Sequence, residues 1–120
     1  DRDRLLEWLL TCPLAHLDAT HGDLLVHAGL VPQWRASDAV CLAAEVSAAL
    51  AADAAAVFAQ MYGNQPDTWS DALDGAARRR FVINALTRLR YCTADGRMDL
   101  SQKGPPGEVA PPLAPWTGFT

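Results

Sequence analysis

Lysine is almost missing from this chain: Lys103 stands alone beside nine arginines, and acids outnumber bases to give a formal net charge of -4. That balance excludes a nucleic-acid surface driven by bulk positive charge. Cysteine is also scarce. Cys12, Cys41 and Cys92 are widely spaced, with no CxxC pair and no metal-ligand pattern, which fits buried thiols in a reducing cytoplasm. No stretch approaches the roughly 20 apolar residues needed to cross a bilayer. The opening residues carry mixed charges, without the basic and then apolar order of a signal peptide. These absences predict a cytoplasmic protein with no nucleic-acid or membrane partner.

What is present is one modest core, since half of the 120 residues are hydrophobic. Asp3 to Thr11 has a helical apolar pattern that Pro13 stops. Ala15 to Ala19, with Leu17 inward and Asp18 outward, leads through a Gly22-Asp23 turn into Leu24-Leu25-Val26, which reads as a buried strand, so the two runs form a hairpin. His16 and His21 beside the turn are expected to face solvent without a role. His27 ends the strand, and Ala28-Gly29 open a turn that Pro32 keeps from becoming helix. A histidine at the carboxyl end of a strand can reach a ligand crevice, or simply be satisfied by backbone.

The middle reads as helical. Ser37 can cap a helix from Asp38 to about Ala51 with Val40, Cys41, Ala44, Val46 and Leu50 as its apolar positions. Asp53 can cap a second one, Ala54 to Tyr62, ended by Gly63 in a positive-φ conformation. Alanine makes these good helices with a thin core that should lean on something else. Asn64 to Asp67 is turn chemistry, and Thr68 or Ser70 can start a short helical turn. Gly75 to Arg90 has the strongest helical periodicity, with Phe81, Val82, Ala85, Leu86 and Leu89 on its apolar side. Arg78, Arg79 and Arg80 oppose the dipole in its first turns, with Asp71 and Asp74 as local candidates to offset them. Tyr91-Cys92 and Met98-Asp99 flank an Asp95-Gly96 turn. The Pro- and Gly-rich stretch from Ser101 reads as loop or linker.

Val26-His27-Ala28-Gly29-Leu30-x-Pro32-Gln33-Trp34 resembles the His-Ala-Gly motif of the calcineurin-like metallophosphoesterases, and more narrowly that of the bacterial symmetrical diadenosine tetraphosphatases. Ala59-Gln-Met-Tyr-Gly-Asn-Gln-Pro66 with Trp69, Arg80 to Cys92, and Pro111-Pro-Leu-Ala-Pro-Trp116 fit the same family in order and spacing. Of the family's metal-ligand motifs only His27 is present: there is no Gly-Asp-x-His and no later Gly-His, and Gly22-Asp23 lacks the residues that would make it a ligand motif. A chain opening on Asp1 and closing on Thr120 is therefore expected to be an internal piece of such an enzyme.

The resemblance implies an α+β fold, a mostly helical piece with short β-hairpins from a two-sheet metallophosphoesterase sandwich. Residues 1–34 would belong to its core, 35–92 to a helical cap, and 93–120 to a hairpin and Pro-rich linker. It implies a parent hydrolase that splits diadenosine tetraphosphate into two ADP with two divalent ions (Mn, Co, Fe or Zn), His27 being one ligand. One imidazole cannot hold two metals, so the isolated chain is expected to be inactive and to bind none. Arg88 and Arg90 are the phosphate-contact candidates, with the resemblance favouring Arg88. Tyr62, Trp34 and Trp69 are candidates for stacking on adenine, worth about 1–3 kcal/mol per base, although aromatics beside Pro and Gly more often pin loops. Asn64 and Asn84 can meet phosphate or ribose, or cap backbone. The rival readings are a non-catalytic helical interaction module and a fragment of a serine/threonine-type protein phosphatase. An exposed core face could also pair two copies.

Overall fold

A computed structural model describes residues 4, 14–18, 20–21, 23–26, 28–101 and 113–115. The expected helix over Asp3 to Thr11 lies, apart from Arg4, outside them. β1 (Ala15–Asp18) pairs antiparallel with β2 (Asp23–Val26) in the register Ala15↔Val26 and Leu17↔Leu24. Paired residues share a face, so Ala15, Leu17, Leu24 and Val26 turn one way and His16 and Leu25 the other. Ala15 is buried, and Leu24 and Val26 pack against the core. β2 is not the buried strand expected, because this two-stranded ribbon is covered on one face only and leaves Leu25 62% exposed. Leu17, expected inside, is 40% exposed next to the turn. Asp23, expected in the turn, already pairs with Asp18 as part of the strand, and Thr20 and His21 form turn between them. The Asp18 carboxylate organises it, accepting the Thr20 amide at 3.0 Å and lying 2.7 Å from His21 Nδ1. His16 and His21 are exposed, as expected.

α1 (Ala36–Gln60) begins before the expected Ser37 cap. Asp38, in the first turn, reaches back to accept the Arg35 amide at 2.9 Å, which places the helix start two residues earlier. Asp53 interrupts the helix with φ -158° and ψ 85°, and its carboxylate accepts the Ala56 amide at 3.1 Å. It caps a second segment inside α1, where the sequence placed a second helix. The buried stripe is Ala39, Leu42, Ala43 and Val46, with Val57 beyond the break. Of the expected apolar set only Val46 is buried, because the small Ala39 and Ala43 side chains take the face that meets the rest of the core. α1 is also long and apolar enough, by length and composition, to cross a bilayer, with a mean hydropathy of 1.7 over its best window. The sequence reading found no such stretch. Alanine is the commonest residue of that helix, Asp53 breaks it and Glu45 is paired to the neighbouring helix.

α2 (Gly75–Arg88) follows Asp74 and buries Phe81, Val82, Asn84, Ala85 and Leu86. Leu89 is extended, so the helix stops short of Arg90. Ser70 starts the short turn before it, its Oγ accepting the Ala72 amide at 3.1 Å and its carbonyl the Leu73 amide at 3.0 Å. β3 (Tyr91–Cys92) and β4 (Met98–Asp99) form the second hairpin around Asp95-Gly96, where Gly96 has φ +88°. β5 (Ala114–Pro115) pairs with the other side of β3. Part of the expected linker is thus a third strand. Proline fits there because an edge strand needs no donor from it. The described residues are α+β: α1, α2 and short antiparallel strands around one core that joins Ala15, Val31, Trp34, the inner faces of α1 and α2, Leu89, Cys92, Met98 and Leu100.

Candidate functional site

The last four carbonyls of a helix have no partner within it and need donors from elsewhere. At the carboxyl end of α2 two come from the segment after β2: the Ala28 amide donates to Leu86 O at 2.8 Å and the Gly29 amide to Ala85 O at 3.2 Å. Two residues of the His-Ala-Gly motif are thereby fixed to the end of α2 that carries Arg88. His27 itself lies outside the described residues.

Arg88 is exposed, and its Nη1 donates to Asn84 Oδ1, one turn back, at 3.2 Å. Asn84 is buried, 2% exposed, and its Nδ2 donates to the Gly63 carbonyl at 2.9 Å. Gly63 lies between Tyr62 and Asn64, with φ +122°. One helical turn earlier, Arg80 Nε donates to Gln60 O at 2.8 Å and Arg80 Nη1 to Gln65 O at 3.1 Å. Arg80, Asn84 and Arg88 are spaced i, i+4, i+8 and form one stripe, in which Arg80 and Asn84 hold the 60–65 turn and Arg88 bonds Asn84. Tyr62 on that turn is 76% exposed. The neighbouring Asn64 is also exposed and lines a cleft of about 370 Å³ with Asp67, Arg97 and Asp99.

Four of the expected site residues are therefore connected: Asn84 links Arg88 to the turn whose Gly63 lies between Tyr62 and Asn64. Arg90 is exposed and lies past the helix, so the expectation that both arginines project from one regular helix does not hold. Trp34 stands apart from this group. It is buried, edge-on to Trp69 with centroids 5.3 Å apart, and 5.6 Å from the Phe81 ring. Its place is that of a loop anchor.

The basic cluster finds its partners elsewhere than in the Asp71 and Asp74 carboxylates, and Arg79 Nε is buried without one among the described residues. Arg78 makes a two-pronged contact with Glu45 of α1, at 3.0 and 3.2 Å, donates to Leu73 O at 3.2 Å and lies 5.1 Å over Trp69. Arg79 Nη2 donates to Gln60 Oε1 at 3.1 Å, and Asp71 instead accepts the Trp69 indole N–H at 3.0 Å. Sequence reading missed Arg80 and the Ala28 and Gly29 amides as parts of the site. The four-residue spacing of Arg80, Asn84 and Arg88 was a signal for the first; backbone donors leave none.

Among the described residues no three His, Cys, Asp or Glu side chains gather as a metal-binding group. The described part of the chain does not fit a dinuclear centre.

No protein-family model matches the chain. It is 50% identical over 117 residues to a protein of Aromatoleum aromaticum named symmetrical bis(5'-nucleosyl)-tetraphosphatase, covering 97% of this chain and 42% of that protein. Proteins of the same name from Methylococcus capsulatus (51% identical over 117 residues, 41% of its length) and Erwinia tasmaniensis (44% over 117 residues, 43% of its length) match as much of the chain. Along nearly its whole length the chain is homologous to symmetrical bis(5'-nucleosyl)-tetraphosphatases. It spans about two fifths of the length of these tetraphosphatase relatives.

Proposed function

We propose that this chain is the substrate-facing segment of a hydrolase that cleaves dinucleoside tetraphosphates, diadenosine tetraphosphate in the first place, symmetrically into two nucleoside diphosphates. The observation that carries this reading is 50% identity over 117 residues to a protein of that name. In the reaction a water oxygen bonds to one of the two central phosphorus atoms and the bridging oxygen leaves with the other half. The water's protons are shared out between the halves and solvent, and each half is a diphosphate.

On this reading the residues around the α2 carboxyl end grip one nucleoside-phosphate arm. The Arg88 guanidinium is a planar, permanently charged donor suited to phosphate oxygens, and it offsets the charge that builds on the chain during cleavage. Tyr62, exposed on a braced turn, offers a ring for the base. Asn84 is too buried to touch substrate, which removes it from the contact set. Two divalent ions, when bound, would polarise the phosphoryl group and activate water. The described residues do not assemble such a centre, and His27 would need ligands from beyond this chain. The isolated chain is accordingly proposed to be inactive.

The test is nucleotide chromatography after incubating diadenosine tetraphosphate and Mn with the full-length protein and, separately, with this chain. ADP as the only product of the full-length protein, and no product from the chain, supports the proposal. ATP together with AMP, or turnover by the chain alone, refutes it.

A further inference from the structure

We infer that Asn84 is a positioning residue that fixes Arg88 and the Tyr62 turn to one another as a single nucleotide-gripping unit. The inference rests on the proposed function and adds a residue that cannot itself reach the ligand. Asn84 is 2% exposed, so both ends of its amide are committed inside the protein. Its Nδ2 donates to Gly63 O at 2.9 Å and its Oδ1 accepts from Arg88 Nη1 at 3.2 Å. The amide has only one sensible orientation. Reversed, it would set NH2 against the guanidinium and its oxygen against the Gly63 carbonyl, so each partner dictates the other's bond.

The bridge has consequences at both ends. A solvated arginine samples many rotamers, and a single bond to a buried acceptor removes much of that freedom before a ligand arrives. Arg88 spends one N–H on Asn84, and no other hydrogen bond from it is made among the described residues, so the rest of its donor fork is open to phosphate. At the other end, the Gly63 carbonyl is the middle of a turn whose flanks, Gln60 and Gln65, are held by Arg80 at 2.8 and 3.1 Å. Tyr62 is thus carried on a turn clamped to the same helix face as Arg88. The ligand such a unit takes is a nucleoside bearing a phosphate chain, with its base and its phosphates held at a set separation.

The experiment is a double-mutant cycle in the full-length protein, reading kcat and KM for diadenosine tetraphosphate and the inhibition constant of ADP. Arg88→Ala is expected to lower kcat/KM by about ten- to a hundredfold, the range of a charge-assisted hydrogen bond. Asn84→Ala is expected to lower it and to weaken ADP, and the double variant to lose clearly less than the product of the two single losses, the remainder being the contribution of the Tyr62 turn. A merely structural Asn84 would lower the unfolding temperature and leave the two losses to multiply. Asn84→Asp guards against misfolding of the alanine variant: it keeps an acceptor for Arg88 and opposes the Gly63 carbonyl. In that background Arg88→Ala is expected to cost as much as in the wild type, while Tyr62→Ala should cost little. Independent, multiplying losses for Asn84→Ala and Arg88→Ala, or an unchanged Tyr62→Ala penalty in Asn84→Asp, overturn the inference and leave the function standing. A wild-type protein that does not cleave the tetraphosphate overturns both.

Discussion

The Trp34 and Trp69 rings meet edge to face, 5.3 Å between centroids at an interplanar angle of 82°, and Phe81 of α2 closes the triangle at 5.6 and 5.4 Å. Such pairs add to area burial because the positive edge of one ring meets the negative face of the next. Trp34→Ala should therefore cost about 3–5 kcal/mol, the range for deleting a buried aromatic, as measured by denaturant unfolding. The Trp34 indole N–H is buried with no partner among the described residues. Trp34→Phe removes that unpaired donor and should cost much less. Equal losses for the two substitutions contradict the anchor role.

Gly63 takes φ +122°, which L side chains rarely adopt, while its missing Cβ would meet nothing nearer than Arg80 Cδ at 3.8 Å. The penalty of Gly63→Ala is thus backbone strain and not a clash, on the order of 1–3 kcal/mol. Thermal unfolding should show that loss, and relaxation of the turn should also weaken nucleotide binding. An alanine variant as stable and as active as the parent contradicts the part given to this turn.

How much of this was legible beforehand divides by range. Asp53 was readable as a cap because a carboxylate acts on amides two or three residues away, and Phe81, Val82, Ala85, Leu86 and Leu89 were readable as core because their spacing is local to one helix. The Glu45 partner of Arg78 is 33 residues away and the Gly63 partner of Asn84 is 21 residues away, so neither leaves a local trace. The α1 stripe was misplaced because alanine is ambiguous: Ala39 and Ala43 are buried while Ala44 and Ala48 are exposed, and only the docking of α1 decides between them. Arg88 could be chosen over Arg90 only by resemblance. The structure adds that α2 stops before Arg90, and that the backbone after His27 is fastened to the Arg88 end.

Glu45 and Arg78 join α1 to α2 with side chains 52% and 27% exposed. Ion pairs this open to water contribute little, about 0–1 kcal/mol. Glu45→Gln should lower stability within that range, with the difference shrinking as salt is raised. Arg78→Met should cost more, because it also abandons the Leu73 carbonyl and the Trp69 face. A larger loss for Glu45→Gln than for Arg78→Met contradicts this division.

Cys92 is buried in the core, and loss of hydration, with Asp95 nearby, pushes its thiol from 9.0 up to about 11. The folded state therefore holds this proton more tightly than the unfolded state. The stability it contributes is complete below pH 9 and is lost as pH rises through about 11. Cys41 is exposed. At pH 8 a thiol reagent should label Cys41 in the native protein and reach Cys92 only after denaturation. Rapid native labelling of Cys92 contradicts the buried setting.

Product analysis of the full-length protein beside its Arg88→Ala variant, with diadenosine tetraphosphate as substrate and unfolding temperatures measured in parallel, tests the proposed function and its site together. ADP alone from the wild type, and a kcat/KM lowered about tenfold or more at an unchanged unfolding temperature in the variant, is the expected result. ATP with AMP from the wild type, or full activity without the Arg88 guanidinium, contradicts it.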